Sequence, residues 1–305
     1  MTIATGVLRL CRHFFLIAVL AVALGATARA SIIDGYLPSR HDRFSSGGYG
    51  GGAVSNPTFL LAGDDLSGIG REGSHPVTMI SPIHFLAAQH FPPSGTVTFV
   101  NQDNATVNFS IASTAAVGST DLMVGTLTTA IVPADKITFY PTFSYTSLGE
   151  FDNVELLVYG KQHRVGRNEL DGDEHLLGGT AANFHPVTVG PSTGIAATYN
   201  HAPGSGFSPD ESFLESGDSG HPTFIRVGSQ LGLLGIHWAN GMFDDSVDAN
   251  FDSFIPYYQP EIDALMSGSG YSLETISIPE PTSFVLLVLA VLPLAASRRT
   301  RWRMR

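Results

Sequence analysis

Short runs of β-branched and aromatic residues constrain this chain more than any other feature. Clusters of Gly, Pro, Asn and Asp separate the runs, which is typical of strands joined by tight turns. Only residues 254–266 have an apolar pattern with a helical period, which predicts one helix there. Many strands without alternating helices favour an all-β sandwich or a pair of barrels. The predicted strands are 77–80, 96–100, 105–111, 136–140, 154–159, 186–189 and 231–236.

The first 30 residues have the three parts of a secretory signal peptide. Arg9 and Arg12 give a positive start before an apolar run at 14–24. Residues 28–30, Ala-Arg-Ala, form a small-residue cleavage site. The apolar run is about half of the roughly 20 residues that a spanning helix needs, which favours a cleaved signal over a permanent anchor. We therefore expect export, with Ser31 as the first residue of the mature chain.

Cysteine usage excludes several classes of protein. The only cysteine, Cys11, lies in the predicted signal peptide. The remaining chain therefore has no disulfide framework, no thiolate metal site and no cysteine nucleophile. Its stability must come from an ordinary hydrophobic core.

The charge of the body is strongly negative. Three of the 16 Lys and Arg residues lie in 1–30 and five lie in the last eight residues. Residues 31–278 therefore have eight basic and 26 acidic residues, a formal charge of −18. Such a surface repels nucleic acid and anionic membranes, so we expect no nucleic-acid partner.

The C-terminal end changes character three times. Residues 267–270, Ser-Gly-Ser-Gly, predict a flexible spacer. Residues 279–281 are Pro-Glu-Pro, residues 284–296 are nearly all apolar, and five arginines follow. These parts, in this order, resemble the PEP-CTERM sorting signal of Gram-negative bacteria. The resemblance implies that an exosortase recognises the tail, cuts near 279–281 and releases the body to the cell surface or extracellular matrix.

Before that processing, the apolar segment would hold the chain in the inner membrane, with the arginines on the cytoplasmic side. A plain C-terminal anchor is the alternative interpretation.

A predicted tight turn at 214–225, L-E-S-G-D-S-G-H-P-T-F-I, carries Ser219. A serine hydroxyl becomes a nucleophile only with a neighbouring base, normally histidine, and an acid that fixes the tautomer of that base. His90 follows a strand, a turn and a second apolar strand, and the small Ala87 and Ala88 allow other groups to pack near it.

Asp121 is the candidate acid, because it begins a largely apolar segment. A half-buried carboxylate there requires a donor such as an imidazole N–H. Asp103 and Asp135 are weaker candidates, since neither begins a comparable segment.

Three motifs carry a resemblance to trypsin-like (chymotrypsin-fold) serine proteases. H-F-L-A-A-Q-H at 84–90, D-L-M-V-G-T-L at 121–127 and G-D-S-G-H-P at 217–222 are similar to the histidine, aspartate and serine motifs of that family, in the same order. The resemblance covers residues 32–266. It implies two packed six-stranded β-barrels with a C-terminal helix, a protein or peptide substrate, and neither cofactor nor metal.

The resemblance also implies roles for individual residues. Ser219 would be the nucleophile, His90 the base and Asp121 its orienting acid. The backbone N–H groups of Gly217 and Ser219 would form the oxyanion hole.

The residue six positions before the nucleophile, Phe213, would form the base of the substrate pocket, with His237 and Trp238 lining it. Phenylalanine at that position favours cleavage after an apolar or small residue.

Several positions depart from the family pattern. Ala87 replaces a threonine, Gln89 an alanine beside the base, and His221 a glycine after the nucleophile. In the family, activation requires a free N-terminal amine on an Ile-Val-Gly-Gly segment, which pairs with the acid before the nucleophile, here Asp218. Residues 32–35, Ile-Ile-Asp-Gly, are only a loose counterpart of that segment. We therefore expect Asp218 to have a local partner.

These departures favour a rival from another class, a non-catalytic extracellular matrix or adhesion protein that retains the protease fold. An esterase using the same triad is a third possibility. The glycines around Ser219 do not have the G-x-S-x-G spacing of α/β-hydrolases.

Other polar residues are interpreted as ordinary structure. The acidic stretches 171–175 and 244–248 lack the EF-hand spacing for calcium and predict solvated loops. His75, His84 and His185 have no motif around them.

Together these patterns divide the chain into five predicted segments. They are a signal peptide at 1–30, an N-terminal barrel at 31–145, a C-terminal barrel at 146–266, a linker at 267–278 and a sorting segment at 279–305.

Overall fold

The computed structural model describes residues 31–278, except 145, 147, 152–153, 171–173, 178–179, 184–186, 190–191, 200–208 and 243–247. The predicted signal peptide and sorting segment lie outside the described residues. Within the described part of the chain, no helix combines the length and apolarity needed to cross a membrane.

Nine strands form the first half of the described chain, and six of them close into a barrel. The barrel order is β4-β5-β6-β9-β8-β7, and each pairing is antiparallel. The nine strands are β1 (Ile32–Ile33), β2 (Phe44–Ser46), β3 (Val54–Ser55), β4 (Ile69–Glu72), β5 (His75–Met79), β6 (His84–Ala88), β7 (Thr96–Val100), β8 (Thr106–Ala116) and β9 (Leu122–Leu127).

The second half contains one large antiparallel sheet. The described strands of this half are β10 (Thr142–Phe143), β11 (Glu155–Gly160), β12 (Arg164–Glu169), β13 (Glu174–Leu177), β14 (Thr180–Asn183), β15 (Val187–Val189), β16 (Ser192–Tyr199), β17 (Ser212–Phe213), β18 (Pro222–Val227), β19 (Gln230–Met242), β20 (Asp248–Phe254) and β21 (Thr275–Ile276). Seven of these form the order β12-β11-β18-β19-β20-β16-β15. The short strands pair as β1 with β17, β2 with β3, β13 with β14, and β10 with β21.

Helices are few and short. The described residues form two α-helices, α1 (Pro38–His41) and α2 (Gln259–Met266). Single 3-10 turns lie at Pro133–Asp135, Leu148–Phe151, Lys161–His163, Ile255–Tyr258 and Ser267–Ser269. The helix that the sequence predicts at 254–266 is thus a 3-10 turn followed by α2.

Strand β6 is buried on both of its faces, which explains its unbroken apolar sequence. Successive side chains of a strand point to opposite faces. Phe85 and Ala87 lie in the interior of the barrel, whereas Leu86 and Ala88 belong to a second cluster. That second cluster also contains Leu157 of β11. The barrel and the large sheet are therefore joined by a shared hydrophobic core.

The prediction of two closed six-stranded barrels is only partly met. The first barrel closes with six strands, but the described part of the second unit is an open sheet of seven. Its strands range from three residues in β15 to 13 in β19. Such unequal lengths and the pairing order depend on contacts between distant segments, which local spacing does not encode.

The predicted strand at 136–140 is wrong. Lys136 has a left-handed backbone with φ of 55°, which interrupts an extended run. The N–H of Thr138 donates to Ser67 Oγ at 2.9 Å, and that of Tyr140 donates to Met79 O at 3.0 Å. Separate bonds of this kind satisfy the backbone without a strand ladder.

Part of the predicted linker at 267–278 packs against the body, although most of its residues are exposed. Leu273 is only 6% exposed and lies in the shared core. The N–H of Thr142 donates to Glu274 O at 2.8 Å, and β21 pairs in parallel with β10. Burial of Leu273 outweighs the flexibility that the Ser-Gly sequence before it would allow.

This docking predicts a measurable stabilisation. Replacing a buried Leu by Ala typically costs about 2–5 kcal/mol, so we expect Leu273→Ala to lower the free energy of unfolding within that range. Leu265 on α2 is 40% exposed, and Leu265→Ala should change it by less than about 0.5 kcal/mol. Urea unfolding of both variants measures the difference. Equal effects of the two substitutions would contradict the docking.

Candidate active site

The pairing of β6 with β9 determines where His90 and Asp121 lie. Ala88, the last residue of β6, is the register partner of Leu122, the first residue of β9. His90 and Asp121 lie just beyond these ends, so both emerge at the same edge of the barrel. The N–H of Gln89 donates to Asp121 O at 2.7 Å and continues the ladder towards the site.

The Asp121 carboxylate holds His90 by two bonds. Its Oδ1 accepts the backbone N–H of His90 at 2.8 Å, and its Oδ2 accepts the Nδ1–H of the ring at 2.6 Å. The Asp121 side chain is 13% exposed and the His90 side chain 46%. Donation through Nδ1 leaves Nε2 as the acceptor, which selects one tautomer and one ring orientation.

Ser219 lies on the turn between β17 and β18. Its hydroxyl donates to His90 Nε2 at 2.9 Å, although 129 positions separate the two residues. Gly217 and Gly220 have φ of 99° and 85°, a backbone region that residues with a Cβ rarely adopt. The two glycines therefore allow the sharp turn that carries Ser219 towards His90.

Asp218 anchors this turn from beneath. Only 1% of the residue is exposed. Its Oδ1 accepts the Ser31 hydroxyl at 2.8 Å and the Lys161 N–H at 2.6 Å, and its Oδ2 accepts the Glu215 N–H at 2.6 Å. Three donors compensate for the burial of the carboxylate.

The sequence predicts a local partner for Asp218, and one of its three donors, Glu215, is local. Glu215 is three positions away, but Lys161 and Ser31 are 57 and 187 positions away. No motif surrounds Lys161, whereas Ser31 directly precedes 32–35, the loose counterpart of the activating segment of the family.

The turn leaves two backbone donors available. The N–H of Asp218 donates to Glu215 O at 3.0 Å and that of Gly220 to His237 O at 2.8 Å. Among the described residues, none accepts the N–H of Gly217 or of Ser219. Two amides on one tight turn can thus bind the same negatively charged oxygen.

A cavity of about 380 Å³ adjoins Ser219. Its walls are two segments, and His237 and Trp238 belong to the second. The lining residues are Leu214, Glu215, Ser216, Asp218, Ser219, His237, Trp238, Ala239 and Asn240. Phe213 is not among them, because it lies in β17, where it pairs with Ile32. The preference for apolar or small residues inferred from Phe213 therefore loses its basis.

His237 supports the wall of this cavity rather than presenting a free imidazole. The residue is 1% exposed. Its Nδ1–H donates to Asp252 Oδ1 at 2.6 Å, and its Nε2–H donates to Tyr159 O at 3.0 Å. Burial alone would lower the pKa of His237, but the Asp252 carboxylate outweighs it and the pKa is raised. With both ring nitrogens bonded, His237 fixes β19 against β11 and β20.

The positions that depart from the family pattern leave the site open. His221 is 7% exposed, its Nδ1–H donates to Asp218 O at 3.0 Å, and its ring lies 5.9 Å from that of Tyr159. The imidazole is thus buried and does not line the cavity beside Ser219. Gln89 contributes its backbone to the Asp121 contact while its side chain is exposed.

The weaker candidate acids have other partners. Asp103 pairs with Lys136 at 2.6 Å, and Asp135 Oδ2 accepts the Val132 N–H at 2.8 Å. His84 is buried, and its Nδ1 is 2.8 Å from the Ser81 hydroxyl.

His75 pairs with Glu72. His185, most of the acidic stretch at 244–248 and the start of that at 171–175 lie outside the described residues. The described residues contain no group of three or more His, Cys, Asp or Glu arranged to hold a metal ion.

Comparisons with known proteins do not assign a family. No family model matches the chain, and no curated protein matches its sequence. Solved structures with a similar backbone include the NS6 protease of murine norovirus 1, at 16% identity over 62% of this chain and 89% of that chain, with a TM-score of 0.37.

Two further similar structures are of heparin binding protein. One, titled HBP, has 14% identity over 63% of this chain and 85% of that chain, with a TM-score of 0.45. The other, a mutant of the human protein, has 12% identity over 67% of this chain and 93% of that chain, with a TM-score of 0.48. Because these similarities are low, we infer function from the chain's own residues.

Burial of His221 predicts an acid-dependent loss of stability. Burial lowers the pKa of His221 to about 4, whereas an unfolded histidine has a pKa near ~6.5. Between these values the unfolded state binds a proton that the folded state does not, so stability falls as the pH falls. We expect His221→Gln, which retains an N–H donor, to reduce the loss between pH 7 and pH 5 by about 1–2 kcal/mol.

Urea unfolding of wild type and variant at both pH values measures this effect. His163, whose pKa burial lowers to about 3, should leave a residual slope in the variant. His237, with its raised pKa, is protonated in both states below pH ~6.5 and adds no slope there. Identical pH dependences of wild type and variant would contradict the prediction.

Proposed function

We propose that this protein is a secreted serine endopeptidase that acts through His90, Asp121 and Ser219. One observation carries the proposal. Two hydrogen bonds run in series, from His90 Nδ1 to Asp121 at 2.6 Å and from Ser219 Oγ to His90 Nε2 at 2.9 Å. Both distances are within the range required for proton transfer between a nucleophile and its base.

In the first half of the proposed reaction, Ser219 Oγ attacks the carbonyl carbon of the scissile peptide bond and its proton moves to His90 Nε2. Asp121 balances the charge of the resulting imidazolium and keeps its orientation. The N–H groups of Gly217 and Ser219 stabilise the oxyanion of the tetrahedral intermediate. Loss of one such donor typically costs about 2.7–4 kcal/mol of transition-state stabilisation.

His90 then gives its proton to the leaving amine, and an acyl-enzyme on Ser219 remains. Water enters, loses a proton to the same Nε2 and attacks the ester carbon. Collapse of the second tetrahedral intermediate returns the proton to Ser219 Oγ and releases the acid product. The sequence requires neither metal nor cofactor, and a protein or peptide chain is the proposed substrate.

The architecture supports a chymotrypsin-like fold for this chemistry. A closed six-stranded barrel supplies His90 and Asp121, a second antiparallel sheet supplies Ser219, and a shared core holds the two together. The nucleophile and its base thus come from opposite sides of one interface. Substrate can approach there because His90 remains nearly half exposed.

Export and surface sorting are the second part of the proposal. They rest on the signal-like residues 1–30 and on the resemblance of 279–305 to a PEP-CTERM signal. We propose transient anchoring in the inner membrane, cleavage by an exosortase and delivery to the surface or extracellular matrix of a Gram-negative bacterium.

A fluorophosphonate probe tests the catalytic proposal. We expect it to label the wild type and to fail on Ser219→Ala, because only an activated serine reacts with it at a useful rate. Ser113→Ala is the matched control, since Ser113 is an exposed serine on β8 that does not line the cavity and should leave labelling unchanged. His90→Ala should reduce labelling to a trace, since removal of the base from such a triad typically costs about 10⁶-fold in kcat.

The outcomes separate the candidate functions. Absence of labelling in the wild type, or equal labelling of Ser219→Ala, would overturn the catalytic proposal and favour a non-catalytic surface protein. If Ser219 is labelled, a panel of peptides and of simple esters distinguishes an endopeptidase from an esterase. Turnover of esters with no cleavage of any peptide would contradict the endopeptidase assignment.

A further inference from the structure

Lys161 is unusual among the basic residues of the body because its charge has no described partner. Five of the eight basic residues in 31–278 form ion pairs, namely Arg40, Lys136, Arg164, Arg167 and Arg226. Arg43 and Arg71 lie over the ring of Tyr49. The Lys161 ammonium forms no ion pair or hydrogen bond with any residue that the structure describes.

The position of Lys161 is fixed by its own backbone. It begins the Lys161–His163 turn that follows β11, and its N–H donates to the buried Asp218 carboxylate at 2.6 Å. This contact requires only the main chain, so any side chain at 161 retains it. The contact also places the residue directly beside the turn that carries Ser219.

The side chain of Lys161 extends over Gly217. A Cβ built on Gly217 would lie 2.8 Å from Lys161 Nζ and 3.2 Å from its Cδ. The amide nitrogen of Gly217 is bonded to the same Cα, so covalent geometry limits its distance from the ammonium to about 5 Å. A side chain at position 217 would displace the lysine, which gives a second reason for glycine there.

We propose that the Lys161 ammonium stabilises the negative charge that develops on the oxyanion. This inference rests on the proposed serine-protease function. An oxyanion would lie about 2.7–3.1 Å from the Gly217 and Ser219 amides. The bound on the distance between Lys161 and Gly217 then places a unit positive charge within about 8 Å of the oxyanion. It contributes at that range because charge–charge attraction falls off slowly with distance. Lys161 is therefore a third, charged component of the oxyanion site.

A boronic acid measures this charge effect directly. When 2-phenylethylboronic acid reacts, an electron pair of Ser219 Oγ forms the O–B bond and the hydroxyl proton moves to His90 Nε2. Boron becomes tetrahedral, as the carbonyl carbon does in the proposed intermediate, and the boronate has a negative charge, as the oxyanion does. The inhibition constant of the boronic acid is obtained from its competition with fluorophosphonate labelling, a measurement that requires no known substrate.

We expect Lys161→Met to weaken boronate inhibition by about tenfold, a value that allows for solvent screening at a partly exposed site. Lys161→Arg should restore it to within about threefold of wild type. Lys136→Met is the matched control, since it removes the same charge far from the turn and should leave inhibition unchanged. Rising salt should weaken inhibition of the wild type more than that of Lys161→Met.

The same experiment separates this inference from the proposed function. If the wild type is labelled and either Lys161→Met or Lys161→Gln binds the boronate as tightly as the wild type does, the proposed role of Lys161 is wrong. The protease assignment then stands. If the wild type is not labelled, both are wrong. Thermal unfolding identifies any variant with altered folding. If both neutral variants lose inhibition and Lys161→Arg does not restore it, the role of Lys161 is structural and the proposal is also overturned.

Discussion

The buried carboxylate of Asp218 is the contact on which the geometry of the site depends. It joins three segments that are distant in the chain, since its donors are Ser31, Lys161 and Glu215. A carboxylate 1% exposed would be costly if any donor were missing, so the three segments are held at fixed positions around it. The turn is thereby held in the conformation in which the Ser219 hydroxyl donates to His90. Orientation of this hydroxyl thus follows from satisfying a buried charge.

The other half of the site depends on strand register. Ala88 opposite Leu122 brings the ends of β6 and β9 together, and a register shift of one residue would turn the side chains to the other face. Because β6 is buried on both faces, such a shift would disrupt the barrel interior and the shared core at once. The hydrophobic pattern that stabilises the barrel therefore also maintains the hydrogen bonds between His90 and Asp121. Precision at the site requires no dedicated stabilising element of its own.

Sequence reasoning identified the residues that carry local signals and missed those defined by long-range contacts. The segments 96–100 and 154–159 read as strands because their residues suit a buried pleated surface, and both lie in strands of the structure, β7 and β11. Residues 136–140 have the same composition, yet a left-handed Lys136 breaks the run, and nothing in a composition pattern reveals a single backbone angle. His90, Asp121 and Ser219 stand in recognisable motifs, whereas Lys161 is an ordinary residue in the sequence that acquires significance only through its contact with Asp218. Phe213 does not line the described cavity beside Ser219, because motif spacing fixes a position along the chain but not the direction of its side chain.

The electrostatic potential at the site can differ in sign from that over the rest of the body. Residues 31–278 have a formal charge of −18. If all of these charges acted on the site, they would disfavour a reaction that creates a further negative charge there. At physiological ionic strength, however, exposed charges more than about 8 Å away are largely screened. Close to the turn, three donors satisfy the charge of Asp218, while the amides of Gly217 and Ser219 have no acceptor among the described residues and the Lys161 ammonium lies beside Gly217. The local field is therefore set by a few oriented groups, and an acidic protein can maintain a site that favours an oxyanion.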